Sequence, residues 1–324
     1  MDLRLSIIIP FYNVERYISE CLDSVLNQDI PLSEYEVICV NDGSPDNSRG
    51  IVLDYMKRFP NLRLIEHEQN RKLGAARNTG RSIAKGKYIW NVDSDDKIVP
   101  DCLSGLLRIC ENNDLDVLEF RPISFCGENL KELPCVPPTR LPISGLDYME
   151  RLSAYELSQM SSVWRKMIRR SFLDENGVYS PEINMGEDVP YSFKALVSAK
   201  RFMCINNTCY LYRSNPEALT GINWQPKALS LYEKCFYNAK LIYDVALTVP
   251  SKYANVSHSF NEAAAYTLNR YTMFYEKMSQ QEQKLFRNIC RRHFVNNGFV
   301  FHLFSKKQFL SYLLWLAGVE KIYK

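Results

Sequence analysis

The first hundred residues alternate short apolar runs with stretches whose apolar positions recur every three or four residues. Residues 5–10 (LSIIIP) are almost continuously apolar, the pattern of a strand buried on both faces of a parallel sheet. Asn13 follows as a candidate helix cap, and Val14, Tyr17, Ile18, Cys21, Leu22, Val25 and Leu26 draw one apolar stripe behind it. Residues 35–40 (YEVICV) predict a second strand, ended by the turn signal Asn41-Asp42-Gly43-Ser44-Pro45. Ile51, Val52, Tyr55, Met56 and Phe59 mark a second helix. Residues 62–66 predict a third strand, 72–84 a third helix and 87–92 (KYIWNV) a fourth strand. Such alternation predicts an α/β fold, a mostly parallel sheet with helices on both faces. Ligands in such sheets bind beyond the carboxyl ends of the strands. Polar clusters occupy three of those ends, at residues 10–13, 41–44 and 93–96.

Beyond Pro100 the pattern loosens. A helix over 101–110 and a strand over 115–120 precede a proline-rich stretch to Pro142. A helix near 144–157, the segment 162–172 (SVWRKMIRRSF) and a turn over 180–186 follow. Another helix starts after Glu187-Asp188, with Pro190 tolerated in its first turn. From Trp224 onward strand signals vanish and helical periodicity dominates, which predicts a boundary between 223 and 224.

The apolar share of 46% and charged share of 24% are those of a folded chain and exclude a disordered or collagen-like one. The net charge of +3 hides an asymmetry: residues 280–324 hold eight Lys/Arg against two Asp/Glu, leaving 32 against 35 for the rest. That segment also carries Phe299, Phe301, Leu303, Phe304, Lys306, Lys307, Phe309, Leu310, Leu313, Leu314 and Trp315. A short basic, aromatic helix suits contact with an anionic membrane surface; a helix docked on the protein or in a homo-oligomer fits the same pattern. The 10 cysteines include no CxxC, so buried free thiols in a reducing cytoplasm are expected. Residues 5–11 are too short for a secretory signal, and no run reaches the roughly 18 apolar residues of a spanning helix.

Asp93-Ser94-Asp95-Asp96 directly follows a buried strand. Three carboxylates so close repel one another unless water or a cation surrounds them. Hard oxygen ligands suit Mg²⁺ or Mn²⁺, ions that also bind substrate phosphates; a solvated turn capping the next helix is the plainer alternative. An aspartyl-phosphate enzyme would carry its DxD after the first strand, and here it follows the fourth. GxGxxG and GxxxxGK[ST] are absent, which removes dinucleotide and P-loop readings. The four histidines (His67, His258, His293 and His302) are scattered, and structural roles are expected for them. The tail's basic residues form no nucleic-acid motif.

Five segments occur in order: residues 6–13 (SIIIPFYN), 40–44 (VNDGS), 74–80 (GAARNTG), 84–89 (AKGKYI) and 93–96 (DSDD). Together they resemble the family-2-type inverting glycosyltransferases with a GT-A fold, over roughly residues 5–220. The resemblance implies a GT-A type, Rossmann-like catalytic domain over 1–223, with 1–98 binding a nucleotide-sugar and 99–223 facing the acceptor. A C-terminal helical region over 224–324 completes the chain. It also implies a divalent-metal-dependent enzyme moving a hexose from a nucleoside diphosphate, UDP first among them, to a glycan or lipid-linked acceptor of a cell-surface polysaccharide. Such an enzyme is expected in the cytoplasm or at the inner face of the membrane. A catalytically inactive nucleotide-sugar-binding protein and a metal-dependent nucleotidyltransferase are the alternatives.

The same resemblance suggests the site. Pro10, Tyr12 and Asn13 would line the nucleotide pocket, with Tyr12 stacked on the base. Asp42 would accept a hydrogen bond from a uracil or thymine N–H, although an Asx turn with Gly43 also fits it. Arg77 would reach phosphate or ribose, Asp93 the ribose, and Asp95 the Mn²⁺ or Mg²⁺ ion. Met185-Gly186-Glu187-Asp188 resembles the family's acidic pair, with Asp188 the general base and Glu187 beside it; an ordinary N-cap role also suits Asp188. Trp164 and Lys166 would lie on the acceptor side, Trp164 on a sugar ring or in the core. Arg213 would approach the diphosphate or form a surface ion pair. Asn215-Pro216-Glu217 stands where relatives are more basic.

Overall fold

The computed structural model describes residues 3–182, 186–214, 230–269 and part of 279–288. The chain divides into two compact units, Met1–Trp224 and Gln225–Lys324.

In the first unit, β1 (Leu5–Phe11), β2 (Tyr35–Asn41), β3 (Leu62–Glu66) and β4 (Tyr88–Asn91) alternate with α1 (Ile18–Leu26), α2 (Ser48–Met56) and α3 (Leu73–Ile83). These strands pair in parallel in the order β3-β2-β1-β4. Both faces of β1 and β2 are covered, which is why their sequences run almost continuously apolar. Ile7, Ile9, Val37 and Cys39 join one core with Ile18, Cys21, Leu22 and Val25 of α1. On the opposite face α3 crosses with Gly80 against Ile8, whose Cγ2 lies 2.5 Å from where a Cβ on Gly80 would sit.

Past β4 the sheet becomes mixed. The further elements are β5 (Lys97–Ile98), α4 (Leu103–Asn112), β6 (Val117–Cys126), β7 (Asn129–Glu132), β8 (Lys166–Arg169) and β9 (Phe202–Arg213). The nine-stranded sheet continues β4-β8-β6-β9-β5, with β7 hairpinned on β6. β8 runs antiparallel to both β4 and β6, and β9 parallel to β6. β6 and β9 therefore run the same way as β1–β4, and only β5, β7 and β8 run against them, so the sheet is mostly parallel, with β8 as the reversed strand beside β4. Trp90 on β4 anchors this junction: its Nε1–H donates to the Trp164 carbonyl at 2.8 Å, and its ring meets Phe120 edge-on.

Several local expectations change. The helix expected near 144–157 is two, α5 (Gly145–Met149) and α6 (Ala154–Gln159), because Ser153 forms a capping box with Glu156 and starts the second. After α7 (Arg170–Glu175) comes α8 (Asp188–Ser198), which begins at Asp188 with Pro190 in its first turn. Asn13 does not cap α1. Its φ is +57°, its N–H donates to the Ser44 hydroxyl at 2.7 Å, and α1 starts only at Ile18 after a turn closed by the Val14 carbonyl.

The described part of the second unit is helical. In α9 (Ser230–Leu247) and α10 (Ala254–Asn269), Ala239, Ile242, Val256, Phe260 and Ala264 are buried. No helix among the described residues is long and apolar enough to cross a membrane. The basic, aromatic segment 299–324 lies outside the described residues.

Among the described cysteines none is bridged; Cys21, Cys39, Cys110, Cys204 and Cys209 are buried as thiols, and Cys102 is half-buried. The tightest backbone approach near β4 is at Gly86, where an added Cβ would collide with the main chain of Leu5 and Ser6. Gly86→Ala is therefore expected to cost about 3 kcal/mol by overpacking, read as a lower urea midpoint with an unchanged m-value.

Candidate functional site

Strands β1, β2 and β4 lie side by side and parallel, so the polar clusters at their carboxyl ends share one edge of the sheet. Tyr12 follows β1 there with 47% of its surface exposed, while Pro10 and Phe11 are buried. An exposed aromatic beside a buried strand offers a flat face to a ring.

Asp42, just past β2, is buried but not in an Asx turn with Gly43. Its Oδ1 accepts the Arg71 N–H and its Oδ2 the Lys72 N–H, each at 2.8 Å. His67 Nδ1 lies 2.7 Å from Oδ1, and its Nε2 2.9 Å from the Thr79 hydroxyl. The local turn is made instead by Asn41, whose Oδ1 accepts the Ser44 N–H at 2.8 Å. A carboxylate offers about four lone-pair positions, and the described residues engage three of them. His67, just past β3, thus has the structural role expected of the scattered histidines, with both ring nitrogens engaged. Lys72 enters α3 with φ +78° and ψ 162°, a region where glycine alone is comfortable. Its N–H bond to Asp42 helps hold that strained geometry.

Arg77, one turn into α3, is the hub. Only 2% exposed, it donates through Nη2 to Asp93 Oδ1 at 2.8 Å and through Nη1 to Glu187 Oε1 at 3.0 Å and Asp188 Oδ1 at 2.5 Å. The structure thus brings together Arg77, Asp93, Glu187 and Asp188, residues separated by up to 111 positions. One guanidinium shared by three carboxylates leaves surplus negative charge. Burial lowers the Arg77 pKa, but the pairs with Asp188, Asp93 and Glu187 outweigh it and fix the cation. The carboxylates respond the other way. Burial, reinforced by Asp188, pushes Glu187 up to about 8, and burial with Asp188 and Asp95 pushes Asp93 up to about 6, Arg77 opposing in both. Both trends hold because a third of a cation cannot offset full desolvation of each acid.

The DSDD turn divides its labour. Asp96 is buried and structural: Oδ2 accepts the Tyr210 hydroxyl at 2.7 Å and Oδ1 the Arg213 N–H at 2.6 Å. Burial and the neighbouring Asp95 and Asp93 hold its pKa well above the usual range. Asp95 is raised as well, by burial, with Arg213 opposing. Among the described residues no three His, Cys, Asp or Glu side chains converge to hold a metal by themselves. A single half-buried carboxylate, that of Asp95, still fits Mg²⁺ or Mn²⁺, which take one or two carboxylates and complete their shell with phosphate oxygens and water. Arg213 does not point freely outward: its Nε donates to the Asp95 carbonyl at 2.6 Å, Nη2 pairs with Glu20, and Tyr17 and Phe125 flank the guanidinium. Asn215-Pro216-Glu217 lies outside the described residues.

On the other side, Asp188 keeps 23% of its side chain exposed, and its Oδ2 accepts the Val163 N–H at 3.3 Å. Trp164 fills the core, stacked on Tyr210 and Tyr212 with centroids 4.6 and 5.4 Å apart. Lys166, expected near the acceptor, is 1% exposed; its ammonium is spent on the carbonyls of Met160 and Ser162.

A model of the family described as "Glycosyl transferase family 2" matches residues 6–177. Glycosyltransferase EpsJ of Bacillus subtilis, itself uncharacterized, is 36% identical over 244 residues, 74% of this chain and 69% of that protein. A poly(ribitol-phosphate) beta-glucosyltransferase of Bacillus spizizenii is 33% identical over 214 residues, 65% of this chain, and the match spans 32% of that longer protein. Among solved structures, residues 1–349 of S. aureus TarS in complex with UDP-GlcNAc superpose with a TM-score of 0.69 at 25% identity, covering 89% of this chain and 79% of that one.

The Glu187 shift makes a linkage prediction. A carboxyl raised from 4.5 to about 8 binds its proton more tightly when folded. Its contribution therefore weakens folding as pH climbs from about 4.5, and the full penalty is present above about 8. Glu187→Gln removes that slope. Its unfolding free energy is expected to match wild type near pH 4 and to exceed it by several kcal/mol at pH 9, measured by urea titration across that range.

Proposed function

Because this chain belongs to glycosyl transferase family 2, we propose that it is an inverting, divalent-metal-dependent enzyme. It moves a sugar from a UDP-linked donor to a glycan or lipid-linked acceptor of a cell-surface polymer. In this reading residues 1–98 hold the donor and 99–223 face the acceptor. The carrying observation is the Arg77 hub, which holds a donor-side acid, Asp93, and an acceptor-side acid, Asp188, on one guanidinium. The UDP-GlcNAc complex of TarS and the poly(ribitol-phosphate) activity named for another relative support the donor and acceptor classes.

Tyr12 stacks on the uracil and Asp42 accepts its N–H. Asp93 meets the ribose, and Arg77 and Arg213 supply positive potential around the phosphates. Asp95 and the donor's phosphate oxygens would hold Mn²⁺ or Mg²⁺, which as a Lewis acid stabilises the charge on the departing diphosphate. Asp188 lies across the hub from Asp93 and reaches solvent. It takes the proton of the acceptor hydroxyl as that oxygen bonds to the anomeric carbon. The bond from that carbon to the diphosphate oxygen breaks, UDP leaves, and attack from the opposite face inverts the centre. The site's surplus of carboxylates is the reason a cation is needed before a diphosphate can enter.

Two measurements test this. Calorimetry with UDP should show binding that strengthens with Mn²⁺, and Asp95→Ala should remove the metal's contribution; an affinity that is the same in Mn²⁺ and in chelator, and unchanged in Asp95→Ala, rejects the metal role. Asp188→Asn should keep UDP affinity and lose roughly 10²- to 10⁴-fold in transfer rate. UDP, rather than pyrophosphate, is the product that separates this activity from nucleotidyl transfer.

A further inference from the structure

Four positions before β8 the chain makes a turn that reaches the acceptor-side acid, and a buried charge cluster holds it there. Lys166 opens β8 directly opposite Glu119 of β6, and both side chains are sealed from solvent. The Lys166 ammonium has three N–H groups. Two donate to the carbonyls of Met160 and Ser162 at 2.6 and 2.8 Å, and Nζ sits 3.4 Å from Glu119 Oε2. Arg165, also buried, donates to the Gln159 carbonyl at 2.7 Å and lies 3.4 Å from Glu119 Oε1. From the other side Ser192, one turn after Asp188 on α8, donates to the Ser161 carbonyl at 2.7 Å. Four consecutive carbonyls, 159–162, are thus held by side chains, and the next N–H, that of Val163, donates to Asp188 Oδ2.

A buried ammonium is costly, and an apolar side chain would fill this place in the sheet with less desolvation. What an apolar side chain cannot do is aim two charge-assisted donors at two carbonyls of one turn. We infer that Lys166, with Glu119 as its counter-ion, is a positioning residue that sets the orientation of the Asp188 carboxylate through the 159–163 turn. The inference rests on Asp188 being the base proposed above. Arg77 holds one oxygen of Asp188 and the turn holds the other, so the carboxylate plane is defined from two sides. Without Lys166 the Met160 and Ser162 carbonyls lose their donors, the turn relaxes and Oδ2 loses its N–H. Small misplacements of a reacting group lower rate far more than binding.

The test uses the full chain with Lys166→Met and the double variant Glu119→Gln/Lys166→Met, which keeps the net charge of the buried cluster. UDP release is followed from UDP-GlcNAc and UDP-glucose in Mn²⁺ with water as acceptor, beside UDP calorimetry and hydrogen exchange of the Val163 amide. Lys166→Met is expected to lower kcat on the order of 10- to 100-fold with UDP affinity unchanged. The Val163 amide should exchange at least about 10-fold faster while β4 and β8 ladder amides keep wild-type protection. The double variant should regain thermal stability but not kcat. Recovery of both in the double variant, or wild-type protection at Val163 in Lys166→Met, overturns the inference by making Lys166 a packing residue only. Asp188→Asn separates the two levels. If it turns over normally, Asp188 is not the base; if it is inactive while Lys166→Met is fully active, only the positioning role fails.

Discussion

A guanidinium shut away from water needs acceptors for its N–H groups and charge for its cation, and in this chain the two requirements organise the whole catalytic unit. Arg77 answers to Asp93 at the end of β4 and to Glu187 and Asp188 at the start of α8. α3 therefore does more than cover β1 and β2. It carries the cation that joins the end of β4 to the start of α8, between β8 and β9. Because the acids outnumber the base, the joint is electrostatically unfinished. Glu187 and Asp93 hold protons longer than ordinary carboxylates because one guanidinium serves three acids.

The change of strand direction after β4 is what gives the site its second wall. β8 returning antiparallel beside β4 places Trp164 under the Trp90 indole and brings Lys166 opposite Glu119. The aromatic stack of Trp164 with Tyr210 and Tyr212 then ties β9 to this region, and Tyr210 in turn bonds Asp96. Packing and polar networks here are continuous: the turn after β4 is anchored by a strand that lies more than a hundred residues further along.

Much of this was legible in the chain. The alternation that produces β1–β4, the DSDD turn after β4 and the start of α8 at Asp188 all follow from local periodicity, turn chemistry and capping, and local signals are what a sequence displays. The misjudged residues share a different property: their partners are distant. Lys166 reads as an acceptor-side lysine because nothing nearby announces Glu119, and the Asx turn that also fits Asp42 by residue type gives way to Arg71, Lys72 and His67, a full α/β unit away. Asn13 was a plausible cap by residue type, yet the Ser44 hydroxyl claimed its backbone first. Tertiary partners override propensity wherever a polar group is buried.

Gly74, in the first turn of α3, bears on how the site can move. A Cβ there would strike the Pro181 carbonyl, so the helix and the segment leading toward Glu187 meet main chain against main chain. Asn78 ties the same two pieces again, accepting the Ser180 N–H at 3.0 Å and donating to its carbonyl at 2.8 Å. A contact with no side chains to slide or repack behaves as a weld rather than a bearing. Any opening that admits a bulky glycan must swing α3 and residues 180–181 as one lever, and its pivot has to lie outside this seam.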